Sequence, residues 1–439
     1  MPFVMVYLAQ MEQTMIKRPE YLNKLISWKD KQLVKILTGV RRCGKSTLFQ
    51  MYQDWLMQNG VGADQIINLN MEDPANHDLL DWRKLYDFID ARLLPGKKNY
   101  VFIDEIQNVV DFQRAADGLF IKDNVDLYLT GSNSHFQSGQ WATMLSGRYV
   151  EIHIFPLSFK EYVSAYPFND TRETMYRRYL ENSSFPYTMT FNETNSVGQI
   201  INAVTGSNSM PDKKWNANQI RDYLGGLYNT IILKDVVDNK NIREPGKLER
   251  VIKYIADNVG NITSMKKISD TMGTDGFKIS PLTIESYVDA LMDSYILYRA
   301  DRYDVKGKKL LKTLNKYYLV DVGLRYFLLG DRTIDTGKML ENVVYLELLR
   351  RNRKVYVGRV DGASDAKEID FVAESDQGTG YYQVAESVLD KKTLERELAS
   401  LQAVKDHNPK FLLTMDNLPA QTHNGIKQIN ALDWLLGSE

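Results

Sequence analysis

Cysteine is almost absent from this chain of 439 residues: Cys43 is the only one. One cysteine excludes an intramolecular disulfide and a cysteine-rich zinc site, and the five scattered histidines show no metal-ligand spacing. A lone thiol is typical of a reducing compartment, so a cytoplasmic location is expected. No apolar run approaches the roughly 18 residues that cross a bilayer, so no membrane contact is predicted. Methionines at 1, 5, 11 and 15 leave the start codon open.

An excess of either charge is also missing. The chain has 55 Lys+Arg against 56 Asp+Glu, a net charge of -1, which excludes a globally basic protein that coats nucleic acid. Any nucleic-acid site must therefore be local. With 44% hydrophobic and 25% charged residues the composition is that of a globular protein, and the length is about three times the ~150 residues of one domain. Two to four domains are expected.

The strongest motif is GVRRCGKST at residues 39–47, which matches the phosphate-loop pattern G-x-x-x-x-G-K-[ST]. A strand is predicted over residues 33–37 and an amphipathic helix over 46–58, so the motif lies where a strand passes into a helix. There, backbone N–H groups and the positive end of the helix can surround a triphosphate. A chance match in a glycine-containing turn is the alternative, and the flanking strand and helix count against it. The candidate nucleotide-binding residues are Gly39, Arg42, Cys43, Gly44, Lys45, Ser46 and Thr47.

Each side chain of the loop has an expected role. Lys45 would reach the β- and γ-phosphates, the Ser46 hydroxyl would bind Mg²⁺, and Thr47 would support the α-phosphate side. Cys43 has two interpretations. Nearby N–H groups and Lys45 favour a thiolate that is open to oxidation, or the residue is simply a small one that the loop tolerates.

A second acidic motif follows the loop. Residues 99–105 read as a buried strand that ends in two carboxylates, with another strand at 65–70 before it. Asp104 would hold Mg²⁺ through water, and Glu105 would act as the general base on the attacking water. A solvated strand end is the competing interpretation. The spacing after the phosphate loop favours the catalytic one.

Two further polar positions are candidates for catalysis. The strand predicted at 126–133 would place Ser132 or Asn133 beside the γ-phosphate, where either could orient the water or simply cap a turn. Arg148 follows Gly147 and precedes a strand at 149–154. It would stabilise transition-state charge in cis or across a subunit contact, or form an ordinary surface salt bridge.

Together these segments, with the run FPLSFKEY at 155–162, resemble the AAA-superfamily P-loop ATPases whose C-terminal portion is a domain of unknown function, DUF4143. The resemblance extends over nearly the whole chain from about residue 16. It implies an α/β P-loop NTPase fold of the additional-strand, AAA-like type, in which another strand separates the strands of the two motifs. It also implies ATP and Mg²⁺ as cofactors.

The rest of the chain is predicted to form three further regions. The ATPase domain is expected at 16–165, followed by a helical extension at 166–245 that has a polar insertion at about 188–218. A winged helix-turn-helix is predicted at 246–330, from three helical patterns and two strands. Its third helix carries acidic residues on the solvent face, which disfavours insertion into DNA. A weak contact with the DNA backbone is predicted only for the basic wing, which contains Arg302, Lys306, Lys308 and Lys309.

Residues 337–439 show the order helix, three strands, helix, strand, which resembles the restriction-endonuclease-like fold. Glu341 and Asp370 match its first two acidic positions and would approach one Mg²⁺. The third strand, however, has Gln383 where a carboxylate is expected and Ala385 where the chemistry requires a lysine. A lysine from elsewhere, such as Lys391, could substitute for it, but nothing in the sequence requires this. We therefore expect a vestigial nuclease domain that binds rather than cleaves.

The predicted function is that of a Mg²⁺-dependent ATPase, a nucleotide-driven switch or motor coupled to the winged helix and the nuclease-like domain. Two alternatives remain: an ATP-regulated nuclease that processes DNA, and a nucleotide-gated scaffold with negligible hydrolysis. An unidentified protein partner and a homo-oligomer are also expected.

Overall fold

The structure is a computed structural model. It describes residues 15–131, 145, 147–166, 169–191, 217–238, 240, 242–330, 335–351, 353–360 and 367–437. The chain divides into two compact units, one of residues 1–156 with 293–295 and the other of residues 157–292 and 296–439. The first boundary thus falls after Pro156, nine residues before the predicted end of the ATPase domain at 165.

The first unit is built on a five-stranded parallel sheet. Its strands are β1 (Val34–Thr38), β2 (Ile66–Asn70), β3 (Asn99–Asp104), β4 (Val125–Thr130) and β5 (Tyr149–His153). Their order in the sheet is β2-β3-β4-β1-β5. Strand β4 therefore separates the phosphate-loop strand β1 from the acidic strand β3, as the additional-strand prediction requires. All residues of β1, β3 and β4 are buried, as expected of a parallel sheet that is covered on both faces.

Helices cover both faces of this sheet. They are α1 (Pro19–Ser27), α2 (Lys45–Gln58), α3 (Trp82–Asp90) and α4 (Phe112–Phe120), with short 3₁₀ turns at Ala63–Gln65, Pro74–Leu79 and Ile106–Asn108. On one face, Phe49 and Tyr52 of α2 pack on the sheet, with the Phe49 ring centre 5.1 Å from that of Phe102. On the other face, α3 and α4 contribute Leu85, Ile89 and other buried residues to one apolar core. This packing fixes the start of α2 directly behind the phosphate loop.

The second unit begins with helices. They are α5 (Phe159–Ala165), α6 (Arg172–Asn182), α7 (Ala217–Thr230), α8 (Pro245–Asp257), α9 (Met265–Thr274) and α10 (Pro281–Asp293), then α11 (Val322–Leu329), α12 (Thr336–Arg350), α13 (Lys391–Gln402) and α14 (Ala431–Leu436). A π-helix at Ile231–Asp238 continues α7, and a 3₁₀ turn lies at Pro186–Thr190. No helix in the described ranges is both long and apolar enough to cross a membrane.

Eight strands of the second unit form one mixed sheet. They are β6 (Leu297–Asp304), β7 (Lys309–Leu319), β8 (Lys354–Val360), β9 (Lys367–Ser375), β10 (Gly378–Ala385), β11 (Lys410–Thr414), β12 (Gln421–His423) and β13 (Ile426–Asn430). Their order is β12-β13-β11-β10-β9-β8-β6-β7. The segment from α12 to β11 has the element order predicted for residues 337–439. Its relation to nucleases stays a prediction.

The hairpin predicted as the wing lies at the edge of this sheet. Strand β6 pairs in parallel with β8, with Arg302 opposite Val357. A free hairpin would leave the outer hydrogen-bonding groups of β6 to water, and β8 satisfies them. Three helices do precede the hairpin, but the hairpin and the predicted nuclease-like region share one sheet.

Candidate functional site

The phosphate loop leaves the carboxyl end of β1 and enters α2 at Lys45. Gly39 has φ of 139° and Gly44 has φ of 102°, a region of backbone conformation that favours glycine. A Cβ atom at position 39 would also lie 2.1 Å from the carbonyl oxygen of Ile154, so only glycine fits. The phosphate loop therefore lies directly against the backbone at the end of β5.

Lys45 lies under this loop. Its side chain is 4% exposed, and its ammonium donates hydrogen bonds to the carbonyl oxygens of Gly39 at 3.0 Å and Val40 at 3.2 Å. These hydrogen bonds hold the buried positive charge of Lys45 next to the backbone of the phosphate loop. Arg42 and Thr47 are exposed, and Arg42 has φ of 67°.

The acidic side chains lie next to the loop because the strand ends meet at one edge of the sheet. Leu37 of β1 is in register with Thr130 of β4, and Ile103 of β3 is in register with Leu129. Asp104 accepts hydrogen bonds from the side chains of Ser46 and Thr130. Burial raises the pKa of Asp104 above its usual range, while these two hydrogen bonds and nearby Lys45 act to lower it.

Glu105 is held in a fixed position beside Asp104. It adopts φ of 54° and is 8% exposed. Its backbone N–H donates to the Thr130 hydroxyl at 3.0 Å, and its carboxylate accepts a bond of 2.5 Å from the Gln107 amide. A carboxylate positioned in this way, next to the strand end that carries Asp104, has the placement of a general base.

Thr130 is a site residue that the sequence interpretation did not assign. Its hydroxyl donates to Asp104 and accepts from the Glu105 backbone, so one group bridges both acidic residues. The available signal was a polar residue that ends the buried strand β4, in register beside the strand that carries Asp104. Ser132 and Asn133 lie outside the described residues, so their role stays a prediction.

Arg148 lies at the opposite edge of the sheet. Its carbonyl oxygen accepts a hydrogen bond of 2.9 Å from the backbone N–H of Val34, the first residue of β1, whereas the phosphate loop follows the last. Because the five residues of β1 span about 16 Å, the backbone of Arg148 is separated from the phosphate loop by roughly this distance. The exposed guanidinium lies 5.4 Å from the ring centre of Phe120. The structure therefore does not bring Arg148 to the loop in cis, and the role across a subunit contact stays a prediction.

Cys43 and Arg18 correct and extend the sequence interpretation of the loop. Burial raises the pKa of the Cys43 thiol, against the opposing charges of Lys45 and Arg18, so of the two interpretations the thiolate is disfavoured and the small, tolerated loop residue is favoured. The guanidinium of Arg18 donates to the carbonyl oxygens of Cys43 at 2.9 Å and Phe155 at 2.9 Å, although the residue is only 4% exposed. No motif marks Arg18, because its contacts are distant in sequence.

The second unit contains a buried polar cluster around Glu341 and Asp370, two residues predicted to approach Mg²⁺. Both carboxylates accept a hydrogen bond from the ammonium group of Lys316 of β7, a residue that was not singled out from the sequence. Burial alone would lower the pKa of Lys316, but the charges of Glu341, Asp370 and Glu368 raise it well above its ordinary value. The side chain of Lys391, the lysine that could have substituted on the third strand, is 87% exposed, and its Nζ lies 3.9 Å from Oε1 of Glu395.

The predicted DNA contact maps to the turn of the β6–β7 hairpin. Lys306, Lys308 and Lys309 are exposed there, while Arg302 lies within strand β6 and is partly buried. The positive charge at the turn is compatible with phosphate contact, and DNA binding stays a prediction.

Comparisons with known proteins support a nucleotide-binding domain around the phosphate loop. A sequence profile described as an AAA domain matches residues 31–163. A second profile, a domain of unknown function named DUF8612, matches residues 209–335. The domain of unknown function is therefore DUF8612, and the expected DUF4143 is not supported. The DUF8612 match includes the three helices and the hairpin that were predicted to form a winged helix.

Similar proteins include two uncharacterized ones and one solved structure. The chain is 35% identical over 427 residues to a protein of Haemophilus influenzae, which covers 97% of this chain and all of that protein. It is 28% identical over 320 residues to a protein of Methanocaldococcus jannaschii, which covers 72% and 67% of the two chains. A Walker-type ATPase of Pyrococcus abyssi is similar with a TM-score of 0.47 and 14% identity, over 71% of this chain and 95% of that one. The chain belongs to the same family as its Haemophilus influenzae relative, and its residues 31–163 form an AAA domain of the P-loop type.

Proposed function

We propose that the protein binds ATP with Mg²⁺ at the phosphate loop and hydrolyses it to ADP and phosphate. The observation that carries this proposal is the convergence of Lys45, the Ser46–Asp104 pair and Glu105 at one edge of the sheet. Each polar group that phosphoryl transfer needs there, a cation, a pair of metal-binding oxygens and a base, has a candidate in the described residues.

The residues present fit a magnesium ion. Ser46 and Asp104 are joined by a hydrogen bond, so the hydroxyl and the carboxylate already face the same point. Mg²⁺ is usually held by one or two such oxygens together with phosphates and water, and it would neutralise charge on the transferred phosphoryl group. The raised pKa of Asp104 reflects a buried carboxyl that a cation would stabilise in its charged form.

The groups of the protein would have separate roles in phosphate binding, proton transfer and the positioning of the acidic pair. The loop amides and Lys45 would bind the phosphates and fix their orientation, because the glycines at 39 and 44 allow the backbone to wrap. Glu105 would accept a proton from the attacking water. Thr130 would keep Asp104 and Glu105 in a fixed relation, since its hydroxyl bonds to both residues.

Two substitutions test the proposal. Lys45→Ala should abolish turnover through lost nucleotide binding, whereas Glu105→Gln should keep ATP binding and lower kcat by about 100-fold or more. Nucleotide affinity and phosphate release are measured on the same samples, with Lys31→Ala, an exposed lysine, as the control. Unchanged turnover in both variants would contradict the ATPase assignment. Tight binding by the unmodified protein without measurable turnover would favour the nucleotide-gated scaffold instead.

A further inference from the structure

Lys316 lies where three carboxylates of the second unit converge. Its Nζ atom is 2.9 Å from Oε1 of Glu341, 2.9 Å from Oε1 of Glu368 and 3.2 Å from Oδ1 of Asp370. The side chain is 4% exposed, and those of Glu341 and Asp370 are each 12% exposed. An ammonium group has three donors, and here each one faces a different carboxylate. One internal cation thus contacts every acidic group of the cluster.

The other polar groups around Lys316 are also engaged. The Tyr318 hydroxyl donates to Oε1 of Glu341 at 2.7 Å, and the backbone N–H of Val384 donates to Oδ2 of Asp370 at 3.0 Å. Gln383, considered as a neutral metal ligand, accepts from the Asp370 backbone at 3.4 Å and donates to Glu397 at 2.8 Å. Its two amide atoms are therefore committed to other partners within the protein.

Space is restricted as well. A Cβ atom at Gly260 would lie 3.2 Å from both carboxylate oxygens of Glu341, so backbone closes this side of the cluster. Mg²⁺ demands near-octahedral coordination and usually keeps several waters. Among the described residues, no group of three or more His, Cys, Asp or Glu is placed to hold a metal ion. The magnesium ion expected at Glu341 and Asp370 does not fit the residues present.

We propose that the Lys316 ammonium is the resident cation of this cluster and takes the place of the divalent ion that a nuclease would bind there. The lysine comes from β7, which the sequence assigned to a different domain, and it stabilises three carboxylates that would otherwise repel one another. The cluster then joins the edge strand to α12 and β9 without a metal. With the ammonium group in this position, the cluster does not support metal-dependent cleavage of nucleic acid.

Mn²⁺ binding to the full chain tests this assignment. Free Mn²⁺ is measured by electron paramagnetic resonance without nucleotide, in an Asp104→Asn background so that the phosphate-loop site does not contribute. The parent should show no Mn²⁺ binding that depends on Glu341, whereas Lys316→Met should gain one site that Asp370→Asn removes. Binding by the parent that Glu341→Gln abolishes would overturn the proposal, as would a folded Lys316→Met variant that binds no Mn²⁺.

A thermal measurement covers the case in which Lys316→Met folds poorly. Mn²⁺ at about 100 times its dissociation constant should raise the Tm of this variant by roughly 5 °C and leave the parent and Lys316→Arg unchanged. If Lys316→Met does not fold at all, the test rests on DNA cleavage and Mn²⁺ binding by the parent protein. Plasmid cleavage by the parent with Mn²⁺ that Asp370→Ala abolishes would overturn the proposal, and no cleavage together with no Glu341-dependent binding would support it.

Discussion

At the scale of single residues, the two polar centres use buried charge in different ways. Lys45 is bonded to neutral carbonyl oxygens of its own loop, so its charge is available to an anion. Lys316 faces three carboxylates, so its charge is already compensated. A buried cation next to neutral acceptors is suited to phosphate binding, whereas one among carboxylates is suited to holding a structure together.

Thr130 provides a test at this scale. Thr130→Val keeps the shape but removes the hydroxyl that bonds to Asp104 and to the Glu105 backbone. We expect kcat for ATP hydrolysis to fall about 10- to 100-fold, as for other residues that orient catalytic groups, with little change in KM.

The matched control for this test is Thr130→Ser, which retains the hydroxyl and should recover most of the activity. Steady-state kinetics and circular dichroism of the three proteins separate catalysis from folding. A kcat for Thr130→Val equal to that of the parent would show that the hydroxyl does not position the acidic pair.

The sequence revealed the local part of the site and missed the part that depends on distant contacts. Lys45, Ser46 and the acidic pair Asp104 and Glu105 occur in contiguous motifs whose spacing is set by the strand and loop. Lys316 contacts Asp370, 54 positions away, and no pattern around either residue indicates the pairing. For Arg148 the sequence left the alternatives in cis and across a subunit contact open, although a residue before a parallel strand lies at the edge opposite the phosphate loop.

At the scale of elements, the start of α1 is tied to the phosphate loop. Arg18 precedes this helix and joins the Cys43 carbonyl to those of Phe155 and Pro156. Its guanidinium also lies 4.5 Å from the ring centre of Tyr21, whose hydroxyl accepts from the Phe155 backbone. The loop, the end of the sheet and the first helix are therefore joined by one side chain.

Arg18→Lys tests this connection. A single ammonium cannot reproduce the spread of a guanidinium over several carbonyl oxygens, so we expect about 1 to 3 kcal/mol less stability of the first unit. Nucleotide affinity should fall as well, because the loop carbonyl at position 43 loses its donor. Thermal unfolding and titration with a fluorescent nucleotide measure both effects.

The control for Arg18→Lys is Arg83→Lys, because Arg83 is exposed and its contacts, a salt bridge of 3.2 Å to Asp87 and the rings of Trp82 and Tyr86, all lie at the surface. That change should leave stability and affinity nearly unaltered. Equal affinity in the Arg18 variant and the parent would mean that the contact supports the fold but not the nucleotide site.

Most helices and strands were predictable at this scale, but the way in which they assemble was not. The helix predicted at 248–259 and the strand predicted at 310–319 appear as Pro245–Asp257 and Lys309–Leu319, because their apolar periodicity is local. The pairing of β6 with β8 joins segments more than 50 residues apart. Strand pairing at that distance leaves no local signal, so the hairpin was assigned to a separate domain.

At the scale of the whole molecule, the near-neutral net charge coexists with carboxyl groups whose pKa is raised in both units. Burial raises the pKa of Asp104 in the first unit and of Asp321 in the second. Burial also raises the pKa of Glu341 to about 7, although Lys316 acts to lower it. The folded protein therefore holds protons that the unfolded chain releases, and the balance changes with pH.

The pH dependence of stability follows from this difference. An unfolded glutamate has a pKa near 4.5, so between about pH 4.5 and 7 the folded state binds more protons at Glu341 than the unfolded state does. The contribution of this group to the free energy of unfolding is then present below pH 4.5 and is lost as the pH rises towards 7, by an amount on the order of 2 kcal/mol.

Glu341→Gln cannot titrate and should flatten the decrease in the free energy of unfolding over this range. Urea unfolding at pH 5 and pH 7, with exposed Glu285→Gln as the control, measures it. A slope that is the same in Glu341→Gln and the parent would show that Glu341 is already ionised in the folded protein, with Lys316 and Tyr318 compensating its burial.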